Sequence, residues 1–188
     1  MKHYARLFVA VPLPGLLTEE LVTYLPAYEK PGVRIIPEEN WHLTVHFIGN
    51  VPKTQVPEIA EKLNTLAPQL ENFELKLLRV APGPNAKMPR LIWAEFAANQ
   101  AFEKMVRAVT FALGAKMDHQ HPVAHVTLAR FAKDIRPPKM PQTPAKENTL
   151  FPVQEISLWE SELRKPHPHY TILERYTLGN KNPEPENN

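Results

Sequence analysis

Two rhythms of apolar and polar residues alternate along the chain, and the places where one gives way to the other mark its elements. Residues 5–12 (ARLFVAVP) are a short apolar run cut off by Pro12, Pro14 and Gly15, which predicts a buried strand ending in a turn. Residues 14–30 have helical character that Pro26 must kink or end. A connection, PGVRIIPEEN, leads to a strand WHLTVHFIG (41–49) closed by Gly49 and Asn50. In TQVPEIAEKLNTLAPQL, Ile59, Leu63 and Leu66 fall on one helical face, after which FELKLLRVA (73–81) alternates as a strand and PGPNAKMP is a loop. The plan then returns. RLIWAEF (90–96) is a strand; residues 99–113 are a helix with Phe102, Met105, Val106, Val109 and Leu113 on one face, ended by Gly114. VAHVTLARF is again a strand, followed by the proline-rich loop KDIRPPKMPQTPAKEN and two closing strands near 152–160 and 169–178. The tail 179–188 (GNKNPEPENN) lacks apolar residues and is expected to be disordered, leaving one domain over residues 1–178.

Laid over each other, the halves match. RLFVAV, a helix and HLTVHF correspond to RLIWAEF, a helix and HVTLARF; Arg6 to His42 spans 36 positions and Arg90 to His125 spans 35. Two strand–helix–strand units, each carrying His-x-Thr on its second strand, predict a duplicated lobe. A pseudo-two-fold would face the two motifs across a shared cleft.

Composition changes this picture little but narrows the chemistry. The 188 residues suit one domain or two small lobes, and 43% hydrophobic with 22% charged is ordinary for a soluble globular protein. With 22 basic against 20 acidic residues, a charge-driven nucleic-acid binder is excluded, though a local basic groove is not. The absence of cysteine excludes disulfides, thiolate zinc sites and cysteine nucleophiles, and is compatible with the cytoplasm, where the protein is expected. Lys2 and Arg6 precede an apolar run, but its prolines and the lack of a small-residue cleavage site argue against a signal peptide, and no run is long enough to span a membrane.

Side chains alternate along a strand, so His42 and Thr44 share one face and Leu43 and Val45 the other; His125 and Thr127 are likewise opposed to Val126 and Leu128. Each motif delivers an imidazole and a hydroxyl to one surface. Two facing histidines suit a reaction that needs an acid and a base on opposite sides of one atom, as in-line displacement at phosphorus does. The threonine hydroxyls can donate to non-bridging phosphate oxygens, and Arg130 can add fixed positive charge. Strict alternation puts Arg130 on the face opposite His125, so its role requires a bulge or a strand end. By the same alternation His46 shares a face with His42 and Thr44, either perturbing His42 or lying solvated at the strand end.

These motifs carry a resemblance. HLTV and HVTL match the paired H-x-T-x motifs of the 2H phosphoesterase superfamily, and RLFVAVPLP, HFIG, LAR, RLIWAEF and SELRKPHPHYTILERYTL resemble its bacterial RNA 2′,3′-cyclic phosphodiesterase branch, also called 2′-5′ RNA ligases. The likeness covers roughly residues 5–178. It implies a bilobed α+β fold with antiparallel sheets lining a central cleft and helices outside. It also implies metal-independent, cofactor-free hydrolysis of a terminal 2′,3′-cyclic phosphate to a 2′-phosphate. By matching position, His42 would be the proton donor and His125 the proton acceptor. Thr44 and Thr127 would bind the phosphate with help from Arg130, and Phe47 would lie near the nucleotide. The acid and base labels rest on the resemblance alone, since pseudo-symmetry makes the two histidines interchangeable in sequence. The same residues would also serve a non-catalytic nucleotide- or RNA-binding module, or 2′-5′ ligation or cleavage.

Other features carry less. Histidines 119, 121, 167 and 169 form two H-x-H pairs in proline-flanked loops with few carboxylates nearby, and are read as loop residues rather than metal ligands. Arg130, Lys133, Arg136, Lys139 and Lys146 stand against Asp134 alone in the 130–146 loop, a solvated face that could also guide RNA ends. Trp41 and Tyr170 are read as packed aromatics before base-stacking ones. A monomer acting on RNA ends or small cyclic nucleotides is expected.

Overall fold

The computed structural model describes residues 3–85, 87–117, 120–132 and 137–179. Among these, ten strands and three α-helices alternate to give an α+β fold: β1 (Tyr4–Pro12), α1 (Gly15–Val22), β2 (Val33–Ile35), β3 (His42–Pro52), α2 (Val56–Leu66), β4 (Phe73–Gly83), β5 (Leu91–Phe96), α3 (Gln100–Ala112), β6 (His125–Phe131), β7 (Thr143–Pro144), β8 (Leu150–Val153), β9 (Glu155–Glu162) and β10 (His169–Thr177). The strands form one antiparallel sheet in the order β10-β9-β1-β3-β6-β5-β4-β7, with β2 beside β6 and β8 beside β4.

Local chemistry explains most of the element ends. Asn99 caps α3 by accepting the Phe102 amide at 3.0 Å, and the helix stops before Gly114. Pro26 ends the first helical segment as expected: α1 stops at Val22, and the chain resumes as a single tight turn over Leu25–Tyr28. Phe102, Met105, Val106 and Val109 of α3 are buried, as are Ile59 and Leu63 of α2 and Leu17 and Leu21 of α1. All join one core cluster with Leu7, Val9, Val11, Leu43, Leu75, Ile92, Val126 and Leu128 from the sheet. At about 1.5–3 kcal/mol for each large apolar side chain, this helix-covered face supplies most of the favourable folding energy. Tyr28 pins α1's continuation to the sheet by donating to the Val80 carbonyl at 2.6 Å.

The opposite face of the sheet carries a smaller cluster of Phe8, Ala10 and Trp159, with Tyr170 and Ile172 packed on it. Down its middle runs a seam. β3 and β6 share a single register pair, Leu43 with Val126, and then part. Where β3 leaves, β2 takes its place along β6, pairing Ile35 with Ala129, Arg34 with Arg130 and Val33 with Phe131. The segment read as a plain connection, PGVRIIPEEN, therefore holds a strand that the alternation in VRII signalled.

Three further expectations need correcting. β3 does not close at Gly49 and Asn50 but runs to Pro52, because Gly49 adopts φ +85° and lets the strand pass through a bulge. The single strand expected near 152–160 is two, β8 on β4 and β9 on β1. Gly179, assigned to the disordered tail, forms an isolated bridge with Glu71, while residues 180–188 lie outside the described residues.

Candidate active site

The seam is where the chemistry gathers. His42 and Thr44 of β3 and His125 and Thr127 of β6 all line one cavity of about 340 Å³, together with Arg34, Asn40, Phe47, Leu91, Arg130, His167 and Tyr170. Leu43, Val126 and Leu128 point the other way and are buried, as alternation requires, while Val45, also buried, reaches the cavity's edge.

Bulges decide what alternation alone could not. Against β1, Val9 faces His46 and Ala10 faces Thr44, so Val45 is an extra residue that reverses the phase of β3. His46 is thereby turned to the helix side, where its Nδ1 is 3.2 Å from the Thr110 hydroxyl of α3. It neither shares the face of His42 nor lies solvated at the strand end. Phe47 is returned to the cleft face, opposite Phe8, with its ring 60% exposed at the rim. In β6 the same device works in favour of the expectation. Trp93 faces Thr127 and Ile92 faces Ala129, so Leu128 is the extra residue, and Arg130 swings onto the face of His125 and Thr127.

Both imidazoles are oriented the same way. His42 Nδ1 lies 2.8 Å from the Asn40 carbonyl, and His125 Nδ1 lies 2.8 Å from the Val123 carbonyl, in each case the residue two positions earlier. A carbonyl can only accept, so each Nδ1 carries the proton and each neutral ring keeps an Nε2 lone pair for the cleft. Aromatic rings fix the planes. The Phe8 ring sits 4.8 Å from that of His42, with Tyr170 edge-on at 5.4 Å and Trp159 at 5.8 Å; Trp93 sits 4.8 Å from His125.

This packing sets the electrostatics. Burial pushes His42 down from an ordinary 6.5 to about 4, opposed by the Asn40 hydrogen bond and reinforced by the charges of His125 and Arg130. Burial also lowers His125, with Arg130 adding to it while the Val123 hydrogen bond and Glu95 work against it. Glu95 is itself held by Arg79 at 2.8 Å. Burial raises the Tyr170 hydroxyl, which Arg130 and Arg6 pull back. Arg130 thus acts electrostatically on both histidines and on Tyr170. Both rings are therefore neutral near pH 7, and the positive charge in the cleft comes from guanidinium.

The surrounding loops are tied to this centre. Asn40, 6% exposed, donates from Nδ2 to the Pro168 carbonyl at 2.9 Å, and Arg34 Nη1 donates to the Pro166 carbonyl at 3.1 Å. Trp41 is packed, its Nε1 donating to the Ile36 carbonyl at 2.9 Å; Tyr170 is half-buried and also lines the cleft. Arg34, Asn40, Trp93 and His167 were not singled out as site residues from sequence. Only Arg34 left a usable trace, through the strand pattern around it. His121 approaches Glu103 at 3.4 Å, His169 starts β10, and His119 lies outside the described residues. Of the basic loop, Lys133 and Arg136 also lie outside them, while Lys146 is paired with Glu20 at 2.7 Å, away from the cleft. A larger cavity, about 800 Å³, lies between the end of α2, the start of β4 and the first turn of α3; amide side chains dominate it, and it holds no histidine or arginine.

Known proteins share this fold. The family described as LigT like Phosphoesterase matches residues 11–93, which include the first histidine motif. An RNA 2′,3′-cyclic phosphodiesterase of Methanocaldococcus jannaschii is 27% identical over 177 residues, covering 91% of this chain and 99% of that protein. The crystal structure of a Thermus thermophilus protein superposes with a TM-score of 0.81 at 26% identity, over 94% of this chain and 99% of that one. Escherichia coli LigT in complex with phosphate has the same fold, with a TM-score of 0.75 at 22% identity over 95% and 99% of the two chains. Its paired His-x-Thr strands, its fold and these full-length likenesses agree, and the chain is similar to the LigT-like phosphoesterases.

Proposed function

We propose that the protein hydrolyses the 2′,3′-cyclic phosphate at an RNA 3′ end to a 2′-phosphate, using His42 as proton donor and His125 as proton acceptor. The observation that carries this reading is the pair of Nδ1-anchored imidazoles that share one cleft with Arg130. His125 Nε2 takes a proton from water as the water oxygen bonds to phosphorus. The P–O3′ bond breaks in line, and His42 Nε2–H delivers its proton to O3′. Thr44 and Thr127 donate to the non-bridging oxygens, and Arg130 offsets the charge that builds there. Phe47 offers an exposed ring to the nucleotide. Acid, base and charge are all supplied by side chains, so the reaction is proposed to need no metal. The phosphate monoanion, bound against His42, favours the charged form of that ring and makes it a competent acid, while His125 acts as base in its neutral form.

We also propose that the two halves are a duplicated lobe and that one chain makes a complete site. The near-equal Arg6–His42 and Arg90–His125 spacings, the matching Nδ1–carbonyl anchors and the flanking of β3 and β6 by β1 and β5 support this.

The test is an RNA oligonucleotide ending in a 2′,3′-cyclic phosphate, incubated with EDTA, with the product end mapped. Conversion to a 2′-phosphate is expected, and His42→Ala and His125→Ala should each lower the rate by roughly 10²–10⁴-fold. Binding by folded protein without turnover would turn the reading into a binding module, and loss of turnover with EDTA would overturn the metal-free mechanism.

A further inference from the structure

Two arginines meet head-on at the open end of the cleft. Arg34 on β2 and Arg130 on β6 are direct register partners, so their side chains leave the sheet on the same face, about 5 Å apart at the backbone. Both line the cavity that holds the histidines. Like charges directly opposite across a strand pair are destabilising unless something offsets them. Nothing in the cavity does: among the described residues no carboxylate lines it. Arg130 is accounted for by the proposed function, which sets it on the reacting phosphate in the cavity it lines with both histidines. Arg34 is not. Its guanidinium is held in place by the Pro166 carbonyl at 3.1 Å, an uncharged acceptor that leaves its full charge facing the cleft that His167 also lines.

We infer that Arg34, with His167 of the same cleft, forms a second phosphate subsite that takes the phosphate on O5′ of the same nucleoside whose 2′,3′-cyclic phosphate lies between the histidines. This rests on the proposed function. A terminal cyclic phosphate has no chain beyond it, so the only neighbouring phosphate in the substrate is on its own ribose O5′. In an oligonucleotide that group is the last internucleotide linkage; in a mononucleotide it is a 5′-phosphate. Arginine suits both because its planar fork matches two phosphate oxygens. The subsite makes the preferred substrate a polyanion with phosphates on both sides of one ribose rather than a bare cyclic nucleoside phosphate. It also places the start of an RNA chain along the Arg34–Pro166–His167 rim.

The experiment compares three substrates: adenosine 2′,3′-cyclic phosphate, the same compound with a 5′-phosphate, and a dinucleotide ending in the same cyclic adenosine. Wild-type protein should show kcat/KM at least about tenfold higher for the second and third than for the first, a factor corresponding to about 1.4 kcal/mol for one charge-assisted contact. In Arg34→Gln that ratio should collapse towards one, and Arg34→Lys should restore part of it, because charge rather than the Pro166 tether confers it. Preference for the 5′-phosphate but not the dinucleotide would restrict the subsite to monoesters. An equal ratio in wild type, or one that Arg34→Gln retains, overturns the inference. If none of the three is turned over, the proposed hydrolysis fails, and calorimetry with adenosine 2′,5′-bisphosphate against adenosine 2′-phosphate still decides: tighter binding of the bisphosphate, lost in Arg34→Gln, upholds the subsite, and equal binding overturns it.

Discussion

His42 should make the protein acid-labile, and by an amount that can be stated. Burial against Phe8, Trp159 and Tyr170 holds its ring near a pKa of about 4, whereas in the unfolded chain it returns to an ordinary 6.5. Between those values the unfolded state binds a proton at this position and the native state does not, so stability rises with pH across that window. Above pH 6.5 both states hold the ring neutral and nothing is lost. As pH falls towards 4 the unfolded state gains, up to the full gap of 2.5 units, or about 3 kcal/mol at 1.36 kcal/mol per unit. Carboxylates titrate in the same range, so the measurement is a difference. Urea unfolding of wild type and His42→Gln, whose side chain is neutral throughout, is followed at intervals from pH 7.5 to 4. The wild-type minus variant stability should drop by about 3 kcal/mol on acidification, steepest below pH 6. Inorganic phosphate should shrink the drop, because an anion in the cleft favours the charged ring. A difference curve flat to within about 0.5 kcal/mol, or one of opposite sign, would falsify the claim that this site stores its histidine neutral.

Other expectations follow from single contacts. Arg130→Gln removes a charge that depresses both imidazoles, so the acid and base limbs of the pH–rate profile should both move to higher pH while kcat/KM falls. Gly83→Ala would drive a Cβ into the Trp93 ring on which His125 rests; turnover should drop, with the ring's displacement visible as a changed tryptophan fluorescence. Asn40→Ala loses the hydrogen bond to the Pro168 carbonyl and frees the loop beside the cleft; a stability loss of about 1–2 kcal/mol by urea unfolding should come with a raised KM. Tyr28→Phe, far from the histidines, leaves the buried Val80 carbonyl without its donor and should cost about 1 kcal/mol of stability with kcat unchanged.

The parts of this molecule that were legible in its sequence are those governed by period and by element-breaking residues. The helical faces of α2 and α3, the Asn99 start and Gly114 stop, and the placement of two His-x-Thr pairs on matching strands all follow from repeating patterns in side-chain chemistry. What escaped is governed by single inserted residues. A bulge leaves no compositional mark: Val45 and Leu128 look like ordinary strand residues, yet each shifts everything after it to the opposite face. One shift carries His46 away from the cleft and the other carries Arg130 into it, so the same unseen device defeated one expectation and satisfied another. The backbone carbonyls of Asn40 and Val123 were hidden for a different reason. Every residue has such a carbonyl, and only the turn of the chain before each histidine decides which one meets Nδ1. The identity of the groups in the cleft is therefore written in side chains, whereas their orientation comes from irregularities of the backbone and their charge state chiefly from burial. A chain that kept both motifs but lost the Leu128 bulge would keep its histidines and strand its arginine on the wrong face.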